Sequence, residues 1–159
     1  MSVTATVDPA ARRSLAEGLR HLATGWITND EFEDRYARAA AGSRDKGVRA
    51  VFWQGAWLLY SDFGTERFTD QDRLPRASRR HIARWILFLK STLPYEWPLD
   101  PWWVKLAWVP VHLVTLGTSA RLRAGKWRRR GEYPVWPFYR WQDYRVAIRH
   151  PVYLRRHPS

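Results

Sequence analysis

The chain has 159 residues, 45% of them hydrophobic and 26% charged, with eleven tryptophans and a net charge of +12. A single domain's length with this aromatic content excludes wholesale disorder, and the charge favours polyanionic or acidic partners. The lack of cysteine excludes a disulfide framework, a thiolate zinc site and a cysteine nucleophile.

The first eleven residues lack the basic-then-apolar pattern of a secretory signal. No glycine follows Met1 and no prenylation box ends the chain. The expected compartment is therefore the cytoplasm, with membrane association as the alternative. The most apolar window, Trp102 to Leu116, contains Lys105, Pro110 and His112. At ~1.5 Å per residue it would span about 22 Å as a helix, short of the ~30 Å hydrocarbon core. It reads as a buried helix before an interfacial one.

A first helix is predicted from Pro9 to Thr24, capped by Asp8, with proline at the first helical position. Leu15, Leu19 and Leu22 form its apolar stripe, and Gly25 supplies a left-handed stop. A second helix runs from Asn29 to Ala40. Thr28 and Glu31 have capping-box spacing, and Ile27 with Phe32 fits a hydrophobic staple across the cap. Phe32, Tyr36 and Ala39 or Ala40 form its inward face. The pair reads as a helix hairpin.

The stretch Leu15 to Glu33, with its leucine ladder, Gly25, Ile27-Thr28 and Glu31-Phe32, resembles the SHOCT domain of bacterial proteins. The resemblance covers under a fifth of the chain. It implies a small helix pair that mediates oligomerisation, with Leu15, Leu19, Leu22, Ile27 and Phe32 as the association residues.

A third helix is predicted from Asp45 to Tyr60. Val48, Val51, Phe52, Gly55, Leu58 and Leu59 make one apolar face, and Trp53 with Trp57 a neighbouring stripe. Asp62 to Pro75 is polar and holds Asp62, Glu66, Asp70 and Asp72, so it reads as a surface connector. A fourth helix follows from about Arg76 to Leu89 or beyond. Ile82, Trp85, Ile86 and Leu89 point inward, and Arg79, Arg80, His81 and Arg84 outward.

Pro94, Pro98 and Pro101 then interrupt the chain. Asp100-Pro101 repeats the cap-then-proline signal and opens a helix that is kinked or ended near Pro110. A basic segment and a proline-rich aromatic stretch, Glu132 to Phe138, precede a last short helix from Arg140 to Arg149. Val135 to Tyr139 is a weak strand candidate that Pro134 and Pro137 demote. The expected fold is mostly α. It is one domain, 1–159, with a hairpin (8–42), central helices (43–93) and a Trp/Pro/Arg-rich C-terminal region (94–159). The bundle is expected to form around Phe52, Leu58, Trp85 and Ile86, wrapped by C-terminal aromatics.

The charge is unevenly spread. Residues 1–118 hold 16 basic and 13 acidic side chains, whereas residues 119–159 hold 11 basic and 2 acidic. Arg121, Arg123, Lys126, Arg128, Arg129 and Arg130 form the densest run, continued by Arg140, Arg145, Arg149, Arg155 and Arg156. Arginine suits bidentate contacts to phosphate or carboxylate and stacks on aromatic faces. The run reads as an anion-binding surface for an acidic protein, an anionic membrane surface or a nucleic-acid backbone. Trp127, Trp136, Phe138, Tyr139 and Trp141 interleave with it, which suits base stacking or an interfacial position. A solvated face with arginines laid over tryptophan rings accounts for the same pattern. Trp97, Trp102, Trp103 and Trp108 admit a ligand-pocket reading, with core packing the stronger one.

Catalytic signatures are sparse. Ser43, Ser61, Ser78 and Ser91 lack a nucleophile elbow. No two of His21, His81, His112, His150 and His157 share the i, i+4 spacing of a metal pair. Asp70 with Asp72, and Glu96 with Asp100, are the only carboxylate pairs weighed as acid–base groups, and Glu96 between Tyr95 and Trp97 is the better placed for a raised pKa. The sequence thus points to a non-enzymatic interaction or scaffold protein without cofactor or metal. Its hairpin would associate with itself or a partner, and its basic C-terminal surface would engage an acidic partner. The alternatives are a nucleic-acid-binding protein of low specificity and a peripheral membrane protein anchored by residues 102–116.

Overall fold

A computed structural model describes residues 6–60, 64–69, 73–97 and 132–150. The helix expected after Pro101, the apolar window 102–116, Arg121 to Arg130, Arg155 and Arg156 lie outside the described residues, as do Trp102, Trp103 and Trp108.

Helix α1 spans Pro9–Ala23. The Asp8 carboxylate accepts from the Ala10 and Ala11 amides at 3.1 and 3.0 Å, satisfying two otherwise orphaned donors. Gly25 follows at φ +71°, and a Cβ there would lie 2.7 Å from the Phe68 carbonyl oxygen. Both its backbone sign and its tight surroundings require glycine. Helix α2 spans Asn29–Ala40 and opens with the full capping box. Thr28 accepts from the Glu31 amide at 3.2 Å, and the Glu31 carboxylate accepts from the Thr28 amide at 2.9 Å.

Helix α3 spans Lys46–Gln54, not the longer helix to Tyr60 that its periodicity predicts. Gly55 leaves helical geometry at φ −125°, ψ −77°, and a 3-10 turn, Ala56–Leu59, follows. The break has a packing cause. A Cβ at Gly55 would sit 3.1 Å from the Trp85 ring, so helix α4, Arg76–Leu89, approaches closely at this point. The turn rotates Ala56 inward and leaves Leu58 76% exposed, which removes Leu58 from its expected place in the core. Trp53 and Trp57 do form a neighbouring stripe, tilted against each other at 5.0 Å, and Tyr36 stacks on Phe52 at 3.5 Å.

Helix α4 buries Ile82, Trp85, Phe88 and Leu89, while Ile86 is half-buried. α1 packs against α2, α3 and α4, and its leucine stripe is the centre of the bundle. The connector before α4 departs from the expected solvated loop. Phe68 and Leu74 are buried in the core. Buried Asn29 holds the connector by donating to the Gly64 carbonyl at 3.0 Å and accepting from the Glu66 amide at 2.7 Å.

Residues 132–140 lie across the bundle with Val135, Trp136 and Phe138 buried. Their first residues form a 3-10 turn, Tyr133–Val135, and the Trp136–Pro137 peptide is cis. Trp136 meets Trp85 edge-to-face at 5.8 Å, and Phe138 meets Phe88 at 5.4 Å. The Trp136 indole donates to the Tyr95 hydroxyl at 3.2 Å, which donates to Gln54 Oε1 at 3.0 Å. The Trp97 indole donates to the Phe138 carbonyl at 3.0 Å, making Trp97 a core residue rather than a pocket wall. Helix α5, Trp141–Arg149, then packs against α4, with its first amide capped by the Glu132 carboxylate. The described residues are thus mostly helical, without a strand, and the C-terminal aromatics wrap the bundle.

Candidate functional site

The predicted association ladder does not present a surface. Leu15, Leu19, Leu22, Ile27 and Phe32 are all buried within this chain's own core. Their side chains are consumed by packing against α3 and α4, so any association through the hairpin would run through its outer face.

The buried Arg12–Asp45 ion pair is also architectural. Arg12 is fully buried, and its Nε donates to Asp45 Oδ2 at 2.5 Å. Its Nη1 donates to the Ser91 and Leu93 carbonyls, both at 2.9 Å, and its guanidinium lies 4.9 Å from the Phe88 ring centroid. Asp45 also accepts from the Asp8 and Gly47 amides at 2.9 and 2.7 Å. Each Asp45 oxygen accepts two bonds, and every Arg12 nitrogen has an acceptor.

The basic surface is different. Helix α4 carries Arg76, Arg79, Arg80 and Arg84 and no acidic residue. Three of the predicted anion-binding residues, Arg140, Arg145 and Arg149, are described, and all three are exposed at or on α5. Among the described residues none of these seven arginines takes part in an ion pair. α5 packs on α4, and between them lies an open groove of about 590 Å³ lined by two of these arginines, Arg80 and Arg84. Ala77, Arg80, Arg84 and Leu87 line it from α4 at three- and four-residue steps, and Tyr144 and Ile148 from α5.

The groove's electrostatics follow from partial burial. Arg84 Nη1 donates to the Pro134 carbonyl at 2.5 Å, while its Nε is buried without a partner among the described residues. Desolvation lowers the Arg84 pKa, opposed by nearby Tyr144 and Tyr133. Desolvation also lowers the His81 pKa below the usual histidine value, and the Arg84 charge adds to the effect. Arg84 thus keeps a positive charge that water solvates poorly, while His81 is biased toward its neutral form.

Arg80, Arg84, Tyr144 and Ile148 are not among the sequence-predicted site residues. The arginines belong to a predicted outer helix face, but their convergence with α5 joins positions some sixty residues apart, which no local period encodes. Glu96 is exposed, so the apolar enclosure an acid role requires does not form around it. No group of three or more His, Asp or Glu side chains is placed to hold a metal among the described residues. Among the same residues no helix is long and apolar enough to cross a membrane. Comparison with protein-family models, with curated proteins and with solved structures returns no match.

Proposed function

We propose that the chain is a non-enzymatic interaction protein that binds an acidic partner on the basic face formed by α4 and α5. The observation that supports this reading is that Arg80 and Arg84 line the groove between α4 and α5, that exposed Arg140, Arg145 and Arg149 lie at or on α5, and that none of the five has an ion pair among the described residues. Surface arginines paired with neighbouring carboxylates would be electrostatically satisfied; these are not, and a partner's anions complement them. Exposed Trp141 beside Tyr144, 5.8 Å apart, favours a second reading in which nucleic-acid bases stack on the same face.

The test is a binding titration of the full chain with poly-glutamate and with single-stranded DNA of equal charge at about 50 mM salt. The acidic-protein reading expects saturable poly-glutamate binding that the double substitution Arg80→Glu, Arg145→Glu weakens at least about tenfold, or about 1.4 kcal/mol. Binding to DNA alone would favour the second reading. Binding unaffected by the double substitution would place the partner elsewhere.

A further inference from the structure

We propose that the α4–α5 groove seats an amphipathic helix that carries carboxylates beside aliphatic side chains. The inference rests on the acidic-partner reading above and names that partner's chemistry.

The groove is not uniformly basic. Ala77, Ala83 and Leu87 on α4 and Ile148 on α5 give it apolar walls, between which Arg80, His81 and Arg84 project. Ala77 and Ala83 are small and exposed, so a partner backbone can approach α4 closely. On α5, Trp141 and Ile148 lie seven residues apart, two helical turns, and therefore on one face. They are 40% and 51% exposed, with Tyr144 between them. The α4 wall thus sets Arg80 and Arg84 between the apolar groups Ala77 and Leu87 at one-turn intervals, and the α5 wall opposite is aromatic and aliphatic. That is the complement of a helix whose leucine-like and glutamate-like side chains recur at three- and four-residue spacing.

Dimensions agree. The fourteen residues of α4 extend about 21 Å and the nine of α5 about 13 Å, enough for two to four turns of a docked helix. A phosphodiester backbone fits less well. It would engage Arg80 and Arg84 but set its charges against Leu87 and Ile148, leaving their apolar surface uncovered by apolar groups. A purely acidic chain has the same deficiency.

The experiment uses the full chain and fluorescence anisotropy with three labelled probes. These are a fourteen-residue peptide with Glu and Leu in helical register, a scrambled peptide of identical composition, and single-stranded DNA of equal charge. The patterned peptide is expected to bind about tenfold more tightly than the scrambled one. Ile148→Ser, at a half-exposed position, is expected to erase that preference. Ala83→Glu, at an exposed position, puts a carboxylate into the groove and is expected to abolish the preference independently. Circular dichroism confirms that each variant is folded. Equal binding of the two peptides overturns this inference and leaves the acidic-partner reading standing. A preference that survives both substitutions also overturns it. Binding to DNA alone, or to no probe, overturns both.

Discussion

The Arg84 guanidinium donates to the Pro134 carbonyl, so one arginine joins the wall of the basic groove to the proline-punctuated segment that straps the bundle. Arg84→Met preserves the side chain's apolar stem but loses that bond. We expect a stability loss of about 0.5–1.5 kcal/mol, because the bond is exposed and the substitution also relieves the desolvated Nε, measured by urea denaturation. Arg84→Lys keeps the charge without the planar fork and is expected to recover acidic-peptide binding only in part.

The Arg12–Asp45 pair predicts a larger effect. Asp45→Ala leaves a fully buried guanidinium without its counter-charge and removes the acceptor for the Asp8 and Gly47 amides. The expected cost is about 3–5 kcal/mol. Combining Arg12→Met with Asp45→Ala should restore part of it, because the stranded charge is gone. Thermal or urea unfolding of both variants checks the sign of the coupling.

How far the sequence discloses the molecule can be judged from such residues. The Asp8 cap, the Thr28–Glu31 box, the bounds of α2 and the start of α4 were legible because each is a contest settled within four or five residues. The α3 break was not, since Gly55 yields to Trp85 thirty residues away. The leucine ladder was correctly seen as apolar, but periodicity cannot tell a face buried by the same chain from one offered to a partner. The groove was hidden for a related reason. Its arginines are visible in the sequence, while the packing that brings α5 to α4 depends on aromatic contacts such as Phe138 with Phe88.

Acid should weaken the first helix. The Ala11 amide bond is the main cause of a lowered Asp8 pKa, assisted by Ser43, Ala10 and Arg12 and opposed by desolvation. A carboxyl depressed in the folded state stabilises it above the ordinary value of 3.8, and that contribution is lost as pH falls through the depressed value. Asp8→Asn retains a capping oxygen without the titration. Its stability should therefore converge on that of the parent protein once the pH falls below the depressed value, whereas Asp8→Ala loses about 1 kcal/mol of capping at neutral pH. Unfolding curves at several pH values test both.

Binding should have the opposite pH dependence. His81 faces the Arg84 charge on its own helix, shares the groove with Arg80 and Tyr144, and has a pKa below the ordinary 6.5. Carboxylates entering the groove favour the imidazolium, so binding takes up a proton. Affinity for an acidic peptide is expected to rise as pH falls from the bound-state pKa toward the lower free-state value, then level off. His81→Gln should flatten the profile.

The most direct measurement is a map of where an acidic peptide touches the protein. Amide chemical shifts of the isotope-labelled full chain, followed during titration with the patterned Glu/Leu peptide, provide it. The changes are expected to cluster at residues 77–87 of α4 and 141–149 of α5. Changes concentrated on the α1–α2 hairpin, or a groove left unperturbed at saturation, would contradict the assignment of the partner surface.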